Sequence, residues 1–496
     1  MFAGGWGQNK GALPNRCGVR IPSLSSIHGC FLAGSPVSLS LRCDKRTRDA
    51  EPGSEGREVS ESVVMNAGRV DRVTIALLFA YICLLTVNWS TLPFNVQWVD
   101  VLFPVLLLCT IAARPSFRLI RPDVLVLVYL ASSLPSLFGA ADLQLGIVPF
   151  AKHGYLALLY GVIAVLTAKL VDPARLTRWL AGLATGVAVV CVLAMGIYYV
   201  TGIAVPRLGA VMALPYVGQL YRPYGAFPSP EYLVSFLAFA TPLVILQVLQ
   251  SDDARHRRLW GTGVIVIFIV AVFTVGHGIV GLVAAATLSL GRAWRHHRPR
   301  LVTAVAIATV ALFIMVNILL VVAVRDLRVV TSRDMSIEPP AYRGLFQEEE
   351  AGAPKISVEL TYGFMGYWLL KQLAWDAFLQ KPWQGIGLGS FLNETRQAAS
   401  EGRIPSVYRE YDPHSTWFGR MAETGIIGTV ALAMLWIGML RFAYRLVAAG
   451  GRQADVAAAL AAGLVAILVI SPNVDVMNFR FIWIAFGVLH GASNRA

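Results

Sequence analysis

The sequence predicts an all-α polytopic membrane protein of about 12 transmembrane helices, with one long extracytoplasmic loop between the ninth and the tenth. Three observations lead there. Hydrophobic residues make up 56% of the 496 and charged residues 14%, with a mean hydropathy of +0.61, which excludes an ordinary soluble domain. Apolar runs recur at lengths able to cross a hydrocarbon core of about 30 Å. Lysine and arginine gather after every second run, the signature of cytoplasmic loops.

Residues 1–72 are rich in Ser, Gly, Arg and Pro, without helical periodicity or a spanning apolar run. They are expected to form a disordered cytoplasmic extension, with Met65, just ahead of Arg69 and Arg72, as an alternative start of translation. The weakly apolar stretch Ile27–Leu41 is broken by Gly34 and Pro36, which argues against a signal peptide. Residues 73–324 hold nine expected spans, at about 73–90, 98–113, 123–139, 149–170, 179–201, 231–249, 259–275, 278–291 and 301–324. The seventh and eighth are short and separated only by Gly276, His277 and Gly278, which suits a tight helical hairpin. Residues 325–413 form the large periplasmic loop, with helix expected around Tyr367–Gln380. Residues 414–496 hold the last three spans, at about 414–440, 454–471 and 479–492, and a short cytoplasmic tail.

The basic residues orient these spans. Arg114, Arg118 and Arg121 follow the second, Lys169, Arg175 and Arg178 the fourth, and Arg255, Arg257 and Arg258 the sixth. Arg292, Arg295, Arg298 and Arg300 follow the eighth, and Arg441, Arg445 and Arg452 the tenth. Both termini are therefore expected in the cytoplasm of a bacterium, the spans in its inner membrane, and the loops 202–230 and 325–413 outside. The alternation accounts for most of the net charge of +13, so that charge is not read as nucleic-acid binding. The six cysteines form no CxxC, and Cys83, Cys109 and Cys191 lie inside apolar runs, so neither a disulfide framework nor a zinc site is expected.

Residues able to do chemistry converge on the outer face. Arg222, in the Pro- and Gly-rich stretch Tyr221–Pro230 before the sixth span, is a permanent cation whose donor fork suits phosphate. The plainer alternative is an arginine snorkelling to lipid headgroups. Gly385, Gly387 and Gly389, within Pro382–Phe391, permit tight turns and close backbone approach. They follow no strand of a βαβ unit, which excludes a dinucleotide site. His414 opens the tenth span where water meets bilayer, and Arg420, Glu423, Gly425 and Gly428 follow it into the membrane. A titratable group there is expensive unless it has a role. Glu423 lies about half a turn out of phase with His414, so it is read as a buried polar contact between neighbouring helices. Arg420 is nearly on the His414 face. Asn473, Asp475 and Arg480 are weaker candidates, read as structural pairs, and Glu348–Glu350 as a solvated charge run.

Together these segments resemble the O-antigen ligase and polymerase family of membrane glycosyltransferases. The specific part is Pro-x-x-Gly-x-Gly-x-Gly-x-Phe (Pro382, Gly385, Gly387, Gly389, Phe391), then His414, Glu423, Gly425 and Gly428. The Arg-x-x-Gly-x-Phe-x-x-Pro of Arg222, Gly225, Phe227 and Pro230 looks like the family's arginine motif. The architecture is similar over about residues 70–492, the motifs over a few dozen residues. The resemblance implies transfer of a glycan from a polyprenyl-diphosphate carrier to an acceptor hydroxyl on lipid A core, a growing polysaccharide or a protein. It implies an inverting reaction without metal, nucleotide or other cofactor. Arg222 then stabilises charge developing on the diphosphate, and His414 orients or deprotonates the acceptor hydroxyl.

Two departures qualify the likeness. Family members usually carry a second arginine in the turn after the seventh span, where this chain has His277, a weaker phosphate ligand. Lys152, near the outer end of the fourth span, or Arg420 is expected to supply the missing charge. His414-Ser415 also replaces the usual His-Asn. These differences favour an extracellular-polysaccharide role over lipopolysaccharide ligation. The alternatives are a secondary transporter, which suits twelve spans but not the lack of an internal repeat, and a non-catalytic component of a polysaccharide export complex.

Overall fold

The computed structural model describes residues 55–87, 97–112, 120–140, 143–214, 218–276, 278–296, 355–451 and 453–495. The chain divides into two units, Met1–Glu61 and Ser62–Ala496; the first is described only over 55–61, and the helical bundle belongs to the second. His277, the expected span 301–324 and the loop up to residue 354 lie outside the described residues.

Helix α1 (Glu55–Leu84) begins well before the span expected at 73. Residues 55–72, expected as unordered chain, are thus helical. The segment contains no proline to interrupt the helix. α2 (Trp98–Ala112) comes next, and then the expected third span appears as two helices, α3 (Arg121–Ala131) and α4 (Leu134–Phe138). Pro135 cannot continue the backbone ladder, and the Ser132 hydroxyl turns back to donate to the Tyr129 carbonyl at 2.7 Å.

α5 (Leu143–Lys169) and α6 (Pro173–Thr201) are joined by a capped turn. The Asp172 side chain accepts from the Ala174 N–H at 3.1 Å, and Gly202 closes α6 at φ 72°. The segment before α7 is an antiparallel hairpin, β1 (Gly209–Leu214) and β2 (Gly218–Pro223), with Ala210 opposite Arg222. Next come α7 (Pro230–Gln250), α8 (Ala254–Thr274) and α9 (Gly278–His296). Beyond residue 354 lie α10 (Lys355–Gln380), α11 (Phe391–Ser400), α12 (Thr416–Ala449), α13 (Ala454–Ile470) and α14 (Arg480–Ser493).

Helices α5, α6, α7, α8 and α12 are long and apolar enough to cross a membrane, and α2, the first part of α9 and α13 are shorter apolar helices. The chain is a multi-pass membrane protein. Its central helix is α7, buried from Leu233 to Val248 among α6, α8, α9 and α13. α14 presses on α5 through Gly487 and Gly491: a Cβ at Gly487 would stand 2.7 Å from the Tyr160 carbonyl oxygen. Small residues four apart permit such close approach, because lipid supplies little other force between helices.

Two polar clusters tie helices of the bundle together. Asp123 accepts from Tyr160 Oη at 2.7 Å and lies 3.1 Å from His490 Nδ1, tying α3, α5 and α14. At the other end of α14, Arg480 reaches both carboxylate oxygens of Asp100 at 2.6–2.7 Å and Gln97 Oε1 at 2.8 Å. Asp100→Ala strands a mostly buried guanidinium, and a loss of about 2 kcal/mol in stability is expected. Thermal unfolding in detergent checks this: the double variant Asp100→Ala/Arg480→Leu is expected to regain part of the loss, and an unchanged melting temperature for Asp100→Ala would show that the pair holds nothing.

Candidate active site

The site is built around a break in α12. Gly425 sits at φ 63° and ψ −158° within an otherwise helical run, a conformation open to glycine. The broken turn takes its backbone partners from the segment before α11. Ile426 and Ile427 donate to the carbonyls of Pro382 (2.8 Å) and Trp383 (3.3 Å). In return Ile386 and Gly387 donate to those of Ala422 (2.9 Å) and Glu423 (3.2 Å). The contact leaves no room for side chains: a Cβ at Gly385 would lie 2.3 Å from the Glu423 carbonyl, and one at Gly425 2.4 Å from that of Trp383. Gly387 and Gly389 approach Ala140 and Leu145 as closely, which docks the loop on the start of α5. The Glu423 carboxylate accepts from the N–H groups of Gly389 and Phe391 at the head of α11. It therefore ties the loop to α12, and the glycine segment is an architectural clamp. Gly428 faces its own helix, where the Thr424 hydroxyl fills the space.

His414 stands just before α12 at φ 46°, in a left-handed turn. The Asp412 side chain stabilises that turn by accepting the His414 N–H at 2.9 Å. Ser415 then caps the helix, its Oγ accepting from the Phe418 N–H. Thr416 fastens this corner to the turn before α14: its N–H donates to Ser471 O at 3.0 Å, its hydroxyl to Val474 O at 3.0 Å, and Val476 donates to that hydroxyl at 2.8 Å. The imidazole is half-buried against the rings of Tyr367 (centroids 4.5 Å apart) and Tyr411 (5.5 Å). Nε2 lies 3.7 Å from Asp412 Oδ1. Burial pushes the imidazole below its usual value; Asp412, Glu231 and Asp475 pull it up and Lys371 pushes it down, and burial prevails. His414 is therefore neutral near pH 7, with carboxylates placed to stabilise the imidazolium once it takes a proton. Burial also raises Asp475, and the neighbouring Asp412 adds to the rise.

Four of the cations the sequence singled out can be placed. Arg222, on β2, donates through Nε to Thr274 O at 2.5 Å and through Nη2 to Glu231 Oε1 at 3.0 Å. Glu231 lies in the first turn of α7, and its other carboxylate oxygen has no hydrogen-bond partner among the described residues. Glu231 bonds Arg222, and its charge also acts on His414. Lys152 is exposed, within the electrostatic reach of Asp475 and Asp412. Arg420 points into the bundle. Its guanidinium lies over the Tyr129 ring and bonds Tyr129 Oη and His153 Nε2, while Nη1 has no partner among the described residues. Arg480 is committed to Asp100. His277 lies outside the described residues.

Sequence reasoning passed over Glu231, Asp412, Lys371 and Tyr367. Lys371 donates to the neutral Asn473 Oδ1 at 2.6 Å, and burial lowers its ammonium. Glu231 and Asp412 each had a local signal, one directly after Ser229-Pro230 and the other two residues before His414. Lys371 and Tyr367 carried none beyond their spacing of four on one helix.

Gly425→Ala forces a Cβ into the Trp383 carbonyl at a φ that alanine avoids, a loss of about 2–4 kcal/mol. The variant is expected to unfold at markedly lower temperature in detergent, and proteolysis to cut first between residues 381 and 391. Gly402→Ala is the control: φ is also positive there (71°), but no atom lies within 4 Å of the added methyl. Equal losses from both substitutions would mean that strain alone, and not the clamp, sets the effect.

No match was found among curated proteins. The family model for O-antigen ligase matches residues 233–433, from the first turns of α7 through the glycine clamp, His414 and the break in α12. Over that stretch, less than half of the chain, the protein is similar to the O-antigen ligase family.

Proposed function

We propose that the protein transfers or polymerises a polyprenyl-diphosphate-linked glycan at the outer face of a bacterial inner membrane, with His414 as general base. The reading places twelve spans in that membrane, with both termini in the cytoplasm. The observation that carries it is His414 itself, held neutral by burial, fixed by the Asp412 turn and sharing Glu231 with Arg222.

The chemistry rests on these groups. The acceptor hydroxyl attacks the anomeric carbon, and its proton passes to the imidazole. The bond from that carbon to the diphosphate oxygen breaks, and the electron pair stays on phosphate. Arg222 stabilises the charge that develops there, with Lys371 and Lys152 as further cations around the same pocket. Asp412, 3.7 Å from Nε2, favours the imidazolium. The inversion of configuration and the independence from metal are part of this proposal.

The deciding experiment compares wild type, His414→Ala and a strain without the gene at matched expression, measuring lipopolysaccharide, secreted polysaccharide and lipid-linked glycan. General-base loss lowers the rate by about 10²–10⁴-fold, so His414→Ala is expected to match the deletion while lipid-linked glycan accumulates. The missing product then names the acceptor and separates ligase from polymerase. Wild-type behaviour of His414→Ala would make the histidine structural and return the transporter reading.

Dependence on pH gives a second test. Because burial holds the His414 pKa below about 6.5, kcat/KM should rise through a midpoint under that value and level off near neutrality. Asp412→Asn removes a carboxylate that raises the pKa, so the midpoint moves to lower pH. A shift upward would contradict the assignment.

A further inference from the structure

We propose that α10, packed alongside α12 at the membrane boundary, sets its tryptophan face against lipid. The helix has three faces. Leu370, Leu373, Ala374 and Ala377 are buried in a small core with Ile386, Phe391 and Ala422. Tyr367 and Lys371 point to the site, one against the His414 ring and the other bonded to Asn473. The third face is apolar and uncovered: Trp368 is 50% exposed, Trp375 43% and Leu379 58%, and Trp383 just beyond the helix is 71% exposed. Positions 368, 375 and 379 fall within about 40° of one another on a helical wheel. Exposed Gln372, Asp376 and Gln380 border that stripe on one side.

The length of α12 sets the depth. Its 34 residues reach about 51 Å, against a hydrocarbon core of about 30 Å. The residues from the break to Leu440, short of Arg441, supply only about 22 Å of that core, so the turns just before Gly425 complete the crossing and those nearest Thr416 reach its boundary. α10 runs beside those turns. Tyr367 meets His414 at one end, and at the other the Trp383 carbonyl accepts the Ile427 N–H, where the exposed apolar face of α12 begins with Ile426, Ile427 and Val430. The tryptophan stripe therefore continues the lipid-facing surface of a membrane-crossing helix. Tryptophan favours this boundary, its ring among acyl chains and its N–H in the headgroups. The occupant of the face is the lipid surface, which brings Lys371 and His414 to the level at which a lipid-linked diphosphate is presented.

The test reads depth and not activity, so it stands apart from the transfer reaction. Single nitroxide labels are placed at 375, 379, 372 and 376 in a cysteine-free full-length chain in nanodiscs, and relaxation by oxygen is compared with relaxation by a water-soluble nickel chelate. Labels at 375 and 379 are expected to respond several-fold more to oxygen than to nickel, and those at 372 and 376 the reverse. Nickel-dominated relaxation at 375 and 379 would put the stripe in open water, and protection from both reagents would put it under protein; either result overturns the proposal. An added Trp375→Glu is expected to swing a label at 379 toward nickel, whereas Trp375→Phe leaves it unchanged. No swing with Glu would also count against the proposal.

Discussion

The exchange of backbone hydrogen bonds between the glycine loop and the broken turn of α12 is the constraint on which the site depends. A break inside a membrane-crossing helix strands amides and carbonyls that no water or lipid tail can satisfy, at several kcal/mol each. Here the loop from Pro382 to Gly387 supplies all four partners at once. That solution works only if two backbones come into direct contact, so Gly385 and Gly425 oppose each other without side chains. Once the clamp closes, the turns from Thr416 to Thr424 have one orientation, and the His414 corner takes its position from them. The Ser136 hydroxyl, donating to Glu423 O at 2.5 Å, extends the same lock to α4.

Charge is arranged on two principles in the two halves of the structure. Within the bundle the described charges rest on polar partners, Arg480 on Asp100, Asp123 on Tyr160 and His490, and Arg420 on Tyr129 and His153, because an unmatched charge there costs more than a helix contact returns. Around His414 the matching is incomplete. Glu231 keeps one oxygen unpartnered among the described residues, Lys371 rests on a neutral amide, and Asp412 and Asp475 press on one another. Such frustration is tolerable where an arriving ligand completes the network. On the proposed reading, a diphosphate supplies anionic oxygens to Arg222 and Lys371, and sugar hydroxyls supply donors to the carboxylates.

How much of this was legible in the sequence depended on the range of the interaction. Helices wholly inside lipid announce themselves by composition, so α5 to α8 fall close to their expected bounds. The division of α3 from α4 had a local cause, Pro135, hidden by the apolar residues around it. Arg222, His414 and the glycines stood out because each breaks a local rule: a charge at the membrane boundary, a histidine ahead of a span, closely spaced glycines outside any strand. Lys371 and Tyr367 break none, and only the fold brings Tyr367 against His414 and the Lys371 charge within reach of it. Arg420 shows the opposite failure. Its place on the His414 face suggested a partner of the site, but Tyr129 and His153, distant in sequence, draw the guanidinium into the bundle.

The departure at His277 also changes its meaning in three dimensions. A chain that needs two cations around a diphosphate is not bound to take both from the turn between α8 and α9, because the elements facing His414 come from α7, α10 and the turn before α14 as well. Lys371 reaches the site from α10, a helix that the surface of the bilayer itself would hold in place. An ammonium on such a helix carries its charge near headgroup level, bearing only part of the desolvation of a cation buried between helices. On this view the cation is moved from a fixed turn to a helix at the membrane boundary, and the site keeps its charge.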